Sequence, residues 1–270
     1  MKLSQAYRTT LIATAGFLLT VMLHTGAIAQ TKSSQGIRNI VIVHGAWADA
    51  SSWSKVIPLL QAKGLHVVAV QNPLTSLADD VAATKRAIAL QDGPVLLVGH
   101  FYGGAVITEA GSDPKVVGLV YEAALAPPDG GSFASVARTF PPVPLLGEVR
   151  ADAEGFLTVT AKGIGEDFAR DLPEKQKQVL TATQAPTATA VFEATITTVA
   201  WKTKPSWYVI TSNDRAVVQE LQKAEAAKIK ATPITVPSSH VPMPSHPKEV
   251  AGLIEQAAAS AESRILPLQQ

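Results

Sequence analysis

Short apolar runs alternate with helical patterns along most of the chain. The first run, residues 37–43, has too little polarity for a half-exposed edge strand, and the later runs are similarly rich in valine, isoleucine and leucine. Nearly continuous apolar strands that alternate with helices predict a parallel sheet covered on both faces. The predicted strands span residues 37–43, 66–70, 95–98, 116–121, 207–211 and 234–236. This pattern predicts the α/β fold class.

Polar residues that favour helix ends stand between these strands. Ser51 or Ser52 is predicted to cap a helix that closes at Gly64. Ser76 is predicted to cap a second helix, whose first turn carries two aspartates, which the helix dipole favours. A terminal helix is expected near residues 247–261.

The alternation breaks between about residues 127 and 200. This stretch contains a proline cluster at residues 140–144, followed by helical patterns near residues 174–183 and 187–199. Because strands resume afterwards, we interpret the stretch as a helical lid inserted into one sheet domain and not as a separate domain. The domain is then predicted to span residues 37–262, with residues 263–270 as a C-terminal tail.

The N-terminus has the pattern of a signal peptide. Lys2 and Arg8 precede an apolar stretch at residues 11–23, and Ala27-Ile28-Ala29 follows as a small-residue cleavage site. A permanent anchor needs about 20 apolar residues, and this stretch is shorter. We therefore expect residues 1–29 to be removed and residues 30–36 to remain as a short polar tail. The mature protein is expected to be exported, periplasmic or secreted from a bacterium, with no stable membrane insertion after cleavage.

Composition excludes several classes of function. The chain has 270 residues, no cysteine and a formal net charge of +1, with its lysines and arginines dispersed. Disulfides, thiol nucleophiles and cysteine metal sites are therefore impossible, and nothing suggests a nucleic-acid partner. No H-E-x-x-H motif or clustered carboxylate–histidine set appears, so we expect neither a metal nor a cofactor.

The candidate chemistry centres on the sequence VGHFYGG, residues 98–104. An apolar strand, a glycine-rich turn and a helix are the context of a nucleophile elbow, whose pattern is G-x-S-x-G. The middle position, which should be serine, is Phe101, and this side chain has no nucleophilic atom. Phenylalanine is much larger than serine, so it should also fill the space where an acyl carbon would sit.

Three other features lie at the ends of predicted strands. A backbone N–H in the loop after residue 43 could form half of an oxyanion hole, and the N–H of Tyr102 the other half. Asp214 and His240 follow the last two predicted strands. The order along the chain, with the nucleophile position first, then the acid and then the histidine, is that of the α/β-hydrolases. Each feature alone could be a turn residue or a structural histidine; together they predict the α/β-hydrolase fold. The other histidines considered are interpreted as structural: His66, His100 and His246.

Four motifs carry a specific resemblance: HGAW with SSW after it, VGH-x-YGG, ND before a valine, and SSHVPM. Over residue 37 to about residue 258, the chain resembles the α/β-hydrolase superfamily. Within it, the chain looks like the branch of plant methylesterases and hydroxynitrile lyases and their bacterial small-ester hydrolase relatives. The resemblance implies that the N–H groups of Ala46 and Tyr102 form the oxyanion hole, that Asp214 is the acid and His240 the base. The family's serine falls on Phe101.

Three interpretations of the function stay open. The protein is a hydrolase by lineage that has lost its nucleophile, or a ligand-binding protein without turnover, or a serine-free enzyme in which His240 and Asp214 act as a general base. Ser238 and Ser239 adjoin His240, but neither lies on an elbow. A small, neutral, largely apolar ester is the expected partner. Six aromatic residues could line its site: Phe133, Phe140, Phe156, Phe168, Phe192 and Trp201.

Overall fold

Six parallel strands form the central sheet, which runs from one edge to the other as His66–Val70, Asn39–Val43, Val95–His100, Val116–Glu122, Ser206–Thr211 and Thr232–Val236. A computed structural model describes residues 37–265, so the predicted signal peptide and polar tail lie outside the described residues. The strands are β1 Asn39–Val43, β2 His66–Val70, β3 Val95–His100, β4 Val116–Glu122, β5 Val149–Ala151, β6 Phe156–Val159, β7 Thr187–Ala188, β8 Ser206–Thr211 and β9 Thr232–Val236. All six predicted strands are present, which confirms the α/β class.

Burial along each strand follows its position in the sheet. Every residue of the central strands β1 and β3 is buried, as expected for strands covered on both faces. The outer strands β2 and β9 each expose residues to solvent. Strand β9 also contains Pro233, which lacks an N–H for a ladder and is tolerated at an edge.

Ten α-helices accompany the strands within residues 37–265. They are α1 Ile57–Gln61, α2 Leu77–Ala89, α3 Gly103–Ala110, α4 Phe133–Ala137, α5 Ala161–Gly163, α6 Glu174–Thr183, α7 Ala190–Glu193, α8 Gln219–Lys228, α9 Pro242–Ser245 and α10 Pro247–Ile265. The last of these runs into the predicted C-terminal tail. None of the helices in this part of the chain is long and apolar enough to cross a membrane.

Two helix starts show how local side chains decide where a turn begins. Ser76 caps α2 as predicted, because its Oγ accepts the N–H of Asp79 at 3.1 Å. The predicted cap at Ser51 or Ser52 is wrong. Asp49 accepts the N–H of Ser51 at 2.6 Å and starts a short 3₁₀ turn, and α1 begins separately, with a proline in its first turn.

The stretch between β4 and β8 contains a second, three-stranded antiparallel sheet, in the order β5-β6-β7. Helix α6 has the predicted bounds 174–183. The helix predicted over residues 187–199 is wrong at both ends, and only α7 is helical there. Thr187 pairs with Leu157 of β6, and Thr195 forms an antiparallel bridge with Ser132, so tertiary pairing holds both ends extended.

Candidate functional site

The turn between β3 and α3 is the tightest part of the site. Phe101 lies between the two elements with a φ of +51°, in the left-handed region that favours glycine. Its N–H donates to the carbonyl oxygen of Glu122 at 3.1 Å, which ties the turn to β4. A Cβ at Gly103 would lie 2.6 Å from the carbonyl oxygen of Val43, so only glycine lets α3 start this close to β1. The strand–turn–helix geometry is that of a nucleophile elbow.

The Phe101 ring is packed among other rings and is only 4% exposed. Its centroid is 4.9 Å from that of Phe133, edge-on, and 5.8 Å from that of Trp47. The His240 ring lies 4.7 Å away at an interplanar angle of 89°. Phe101 therefore contacts both His240 and the aromatic residues of the insert.

His240 and Asp214 form a buried hydrogen-bonded pair. The Nδ1 of His240 lies 2.8 Å from Oδ2 of Asp214, and both side chains are fully buried. Because the carboxylate of Asp214 can only accept a hydrogen bond, the Nδ1–H of His240 is the donor. The Nε2 of His240 is then the ring nitrogen that carries the lone pair that a base needs. That Nε2 has no hydrogen-bond partner among residues 37–265. Asp214 is held by further donors: Thr211 Oγ1, Gln222 Nε2, and the backbone N–H groups of Ala216 and Val217.

His100 supports the backbone of His240. Its Nε2 donates to the His240 carbonyl oxygen at 3.0 Å, and the two ring centroids are 4.7 Å apart. Burial holds the pKa of His100 well below its ordinary value, and the neighbouring His240 lowers it further. His100 is therefore neutral, and it contributes a hydrogen bond and packing but no charge to the site.

The loop after β1 lies directly against the elbow. A Cβ at Gly45 would be 2.8 Å from the Cβ of Phe101, which brings this loop and the following Ala46 beside the turn. His44 holds the loop, because its Nδ1 lies 2.8 Å from the carbonyl oxygen of Gly45 and its Nε2 accepts the N–H of Asn72 at 2.9 Å. Burial lowers the pKa of His44, in keeping with its neutral form. The structure thus brings Ala46 and Tyr102, both buried, to the same turn.

Two buried carboxyl groups near the site were not identified as site residues from the sequence. Asp80 accepts the Tyr102 hydroxyl at 2.9 Å and the N–H of Leu74 at 2.8 Å, and burial raises its pKa to about 6. Glu122, at the end of β4, is fully buried, and its carboxyl oxygens have no hydrogen-bond partner within the described part of the chain. Burial raises the pKa of Glu122 well above the ordinary value. A charged residue ending an apolar strand was the only sequence signal for Glu122.

A cavity of about 450 Å³ lies on the insert side of Phe101. Its lining is largely apolar, and its only charged lining residues, Arg138 and Glu193, form an ion pair with each other. His240 and Asp214 do not line it. Of the six aromatic residues considered, three line the cavity: Phe133, Phe140 and Phe192. Phe168 instead packs on the His240 ring, and Phe156 and Trp201 do not line the cavity.

No group of three or more histidine, cysteine or carboxylate side chains within residues 37–265 could hold a metal ion. The chemistry that the arrangement supports is acid–base chemistry. A carboxylate-oriented imidazole lies next to an elbow, but the elbow position holds a hydrocarbon ring.

Comparison with known proteins gives one family. A profile described as "Alpha/beta hydrolase family" matches residues 40–253. The alpha/beta hydrolase nvfD of Aspergillus novofumigatus is 26% identical over 255 residues, covering 82% of this chain and 97% of that protein. A carbendazim hydrolyzing esterase of a Nocardioides species is 32% identical over 121 residues, covering 38% of this chain and 49% of that protein.

Solved structures show the same fold. A pyrethroid hydrolase from Sphingobium faniae superposes with a TM-score of 0.71 at 22% identity, covering 82% of this chain and 97% of that one. Tomato methylketone synthase I, crystallised with 2-tridecanone, gives a TM-score of 0.73 at 20% identity, covering 83% and 98%. At these identities the likeness concerns the fold alone.

Proposed function

The chain belongs to the alpha/beta hydrolase family, and from that premise we propose that it is of carboxylic-ester-hydrolase lineage with Phe101 at the nucleophile position. In this proposal the protein binds a small, neutral, largely apolar ester or related molecule in the cavity beside Phe101. Asp214 and His240 remain as acid and base, and the N–H groups of Ala46 and Tyr102 as the oxyanion hole. As it stands, the protein turns esters over slowly or not at all.

One observation carries this proposal: the Nε2 of His240 is buried and unpartnered among the described residues, and the edge-on ring next to it is Phe101. In the family mechanism this nitrogen takes the proton of a serine hydroxyl, while the acid orients the imidazole. Here the base and its orienting acid are in hydrogen-bonding contact. The residue at the elbow offers neither a proton to remove nor an oxygen to attack with.

The ligand class is supported by the cavity and by the relatives. The cavity has a volume of about 450 Å³, and its two charged lining residues, Arg138 and Glu193, neutralise each other. This size and polarity are those of a site for a small neutral molecule. The names of the relatives mention carbendazim and pyrethroids, and one neighbouring structure holds 2-tridecanone. All of these are small molecules.

A non-catalytic binding role is the main alternative. It is favoured by the position of Phe101, which forms part of the cavity lining and screens His240, a residue outside that lining. The serine-free alternative requires substrate to reach Nε2 of His240, so it requires the Phe101 ring to move aside. These alternatives predict different behaviour when Phe101 is changed.

The test compares the unmodified protein with Phe101→Ser on activated short-chain aryl esters. We expect near-background hydrolysis by the unmodified protein and an increase of at least about 10³-fold in the variant, the scale attached to a triad nucleophile. Phe101→Ala is the matched control, because it opens the same space without adding a hydroxyl. The restored activity should disappear again when His240→Ala is added, since an unassisted serine is a poor nucleophile.

Two results would overturn the proposal. If Phe101→Ser folds and binds the ester but stays inert, the protein is better described as a binding protein. If the unmodified protein hydrolyses esters rapidly and His240→Ala abolishes this, the serine-free base mechanism is correct.

Export is a separate proposal that rests on the N-terminal sequence. We propose cleavage after Ala29, which leaves Gln30 as the first residue of a periplasmic or secreted protein. N-terminal sequencing of the mature protein from its native host tests this. Recovery of a membrane-extracted form that retains Met1 would show an uncleaved anchor instead.

A further inference from the structure

One turn of the insert, residues 164–171, contacts the loop that carries His240. We call it the insert turn. Within it, Asp171 accepts three hydrogen bonds from the two serines that precede His240. The Oγ of Ser238 donates at 3.1 Å and the N–H of Ser239 at 3.0 Å, and the Oγ of Ser239 donates to the other carboxylate oxygen. A single side chain of the insert therefore holds two consecutive residues next to the proposed base.

The same turn makes two further contacts with the proposed acid–base pair. It begins with one turn of π-helix, Ile164–Phe168, a rare conformation that is frequent at functional sites. Phe168 packs its ring 4.9 Å from the ring of His240. Asp167 accepts from Nε of Arg215 at 2.5 Å, and Arg215 directly follows Asp214. The insert turn thus contacts both the loop that carries Asp214 and the loop that carries His240.

We propose that Asp171 is a positioning residue that sets the location of the His240 imidazole. The carboxylate of Asp214 is held by four donors from its own strand, loop and helix α8, and none of these donors belongs to the insert. The residues that precede His240 are instead held partly from the insert, by Asp171, and partly by a local contact between the hydroxyls of Ser238 and Ser245 at 2.7 Å. This inference rests on the proposed function insofar as His240 is taken to be the base.

The expected effect of losing Asp171 is a displaced loop. The loop should shift and not unfold, because two other hydrogen bonds to it remain without Asp171. The backbone N–H of Asn213 donates to the carbonyl oxygen of Ser238 at 3.0 Å, and Nε2 of His100 donates to the carbonyl oxygen of His240 at 3.0 Å. Burial alone would raise the pKa of Asp171, but the bonds from Ser239 and Ser238 outweigh it and hold that pKa below its ordinary value. The carboxylate form, which accepts all three bonds, is therefore the form present at neutral pH.

Asp171→Asn tests the proposal, with Asp152→Asn as its matched control. Asp152 lies in the same insert and accepts the N–H groups of Glu154 and Phe156, both at 2.9 Å, but it does not contact the His240 loop. The first measurement needs no turnover: the proton NMR signal of the His240 Nδ1–H in the otherwise unmodified protein. We expect Asp171→Asn to shift or broaden this signal and Asp152→Asn to leave it unchanged.

The second measurement is the kinetics of the same substitutions in the Phe101→Ser protein. We expect Asp171→Asn to lower kcat by about tenfold or more, because misplacement of a catalytic group by about 1 Å costs up to about 10²-fold. KM should change by less than about twofold, since Asp171 does not line the cavity. In a double-mutant cycle, Ser239→Ala should cost less in the Asp171→Asn background than it costs alone, because both substitutions act on the same hydrogen bond.

The outcomes separate this proposal from the proposed function. If Asp171→Asn and Asp152→Asn give the same NMR signal and the same kcat, Asp171 has no positioning role. If Phe101→Ser is inert but Asp171→Asn still shifts the His240 signal, the proposed function fails and the positioning role stands. If Asp171→Asn does not fold, Ser239→Ala replaces it: a smaller shift of the same signal supports the proposal, and an unchanged signal overturns it.

Discussion

Phe101 combines an unfavourable backbone conformation with a favourably buried ring, and two substitutions separate these effects. Phe101→Ala removes the ring but keeps a Cβ in the left-handed region. Phe101→Gly removes both the ring and the Cβ. The difference in the free energy of unfolding between the two variants therefore measures the cost of the backbone conformation, with the ring absent from both.

The expected magnitudes follow from the structure. Truncation of a buried phenylalanine to alanine costs about 3–5 kcal/mol, and we expect the lower end, about 3 kcal/mol, because this ring borders a cavity. A Cβ in the left-handed region costs roughly 1–2 kcal/mol. Glycine loses about 0.5–1 kcal/mol more than alanine when it is ordered. Phe101→Gly should therefore be more stable than Phe101→Ala by about 1 kcal/mol.

Urea denaturation followed by tryptophan fluorescence measures both variants, since the chain has four tryptophans. Ala105→Gly is the control, because Ala105 lies in helix α3, where glycine should cost about 1 kcal/mol relative to alanine. The sign of the alanine-to-glycine change should thus be opposite at positions 101 and 105. If glycine is the less stable choice at both positions, Phe101 is not held in a left-handed conformation and the elbow geometry is wrong.

Three further substitutions test other parts of the site. Gly45→Ala should cost roughly 1–3 kcal/mol, because its Cβ would lie 2.9 Å from the carbonyl oxygen of His100; Gly147→Ala, whose Cβ would meet nothing within 4 Å, should be nearly neutral, and equal costs would refute the contact. Burial raises the pKa of Asp80 to about 6, so the native state binds more protons than the unfolded state between about pH 4 and 6. The unfolding free energy relative to Asp80→Asn should then fall across that range by up to about 3 kcal/mol, and a difference that stays constant or rises would contradict the burial of the charge. The same sign applies to Glu122, whose pKa burial raises well above the ordinary value: relative to Glu122→Gln, stability should fall as the pH rises above about 4.3, and parallel stability curves would contradict this.

The sequence by itself determined the six strands of the central sheet and the order of the candidate site residues along the chain, but not the three-stranded sheet of the insert. Runs of β-branched residues predict parallel strands whatever lies around them, because the hydrophobic pattern is local. The carboxyl ends of such strands meet at one edge of a sheet, so residues that follow them are brought together. For this reason Asp214 and His240, 26 positions apart, could be paired from the sequence before their 2.8 Å contact was known.

The local sequence did not predict the backbone conformation correctly where two side chains compete to cap one turn, or where a segment pairs with residues that are distant in the sequence. Asp49 is the cap in place of the serines, because its carboxylate accepts the N–H of Ser51 and so starts the turn two residues before that serine. Thr187 and Thr195 are extended because strands and bridges formed with distant residues satisfy their backbone groups.

Only the tertiary structure decided what surrounds the proposed base. Asp171 and Ser239 are separated by 68 positions, and no periodicity links them. Phe168 packs on His240 and Phe133 lines the cavity, although both are phenylalanines in the same insert. Side-chain contacts across such distances depend on how the insert packs onto the sheet. That packing arises from the shapes of both surfaces together, which no single stretch of sequence contains.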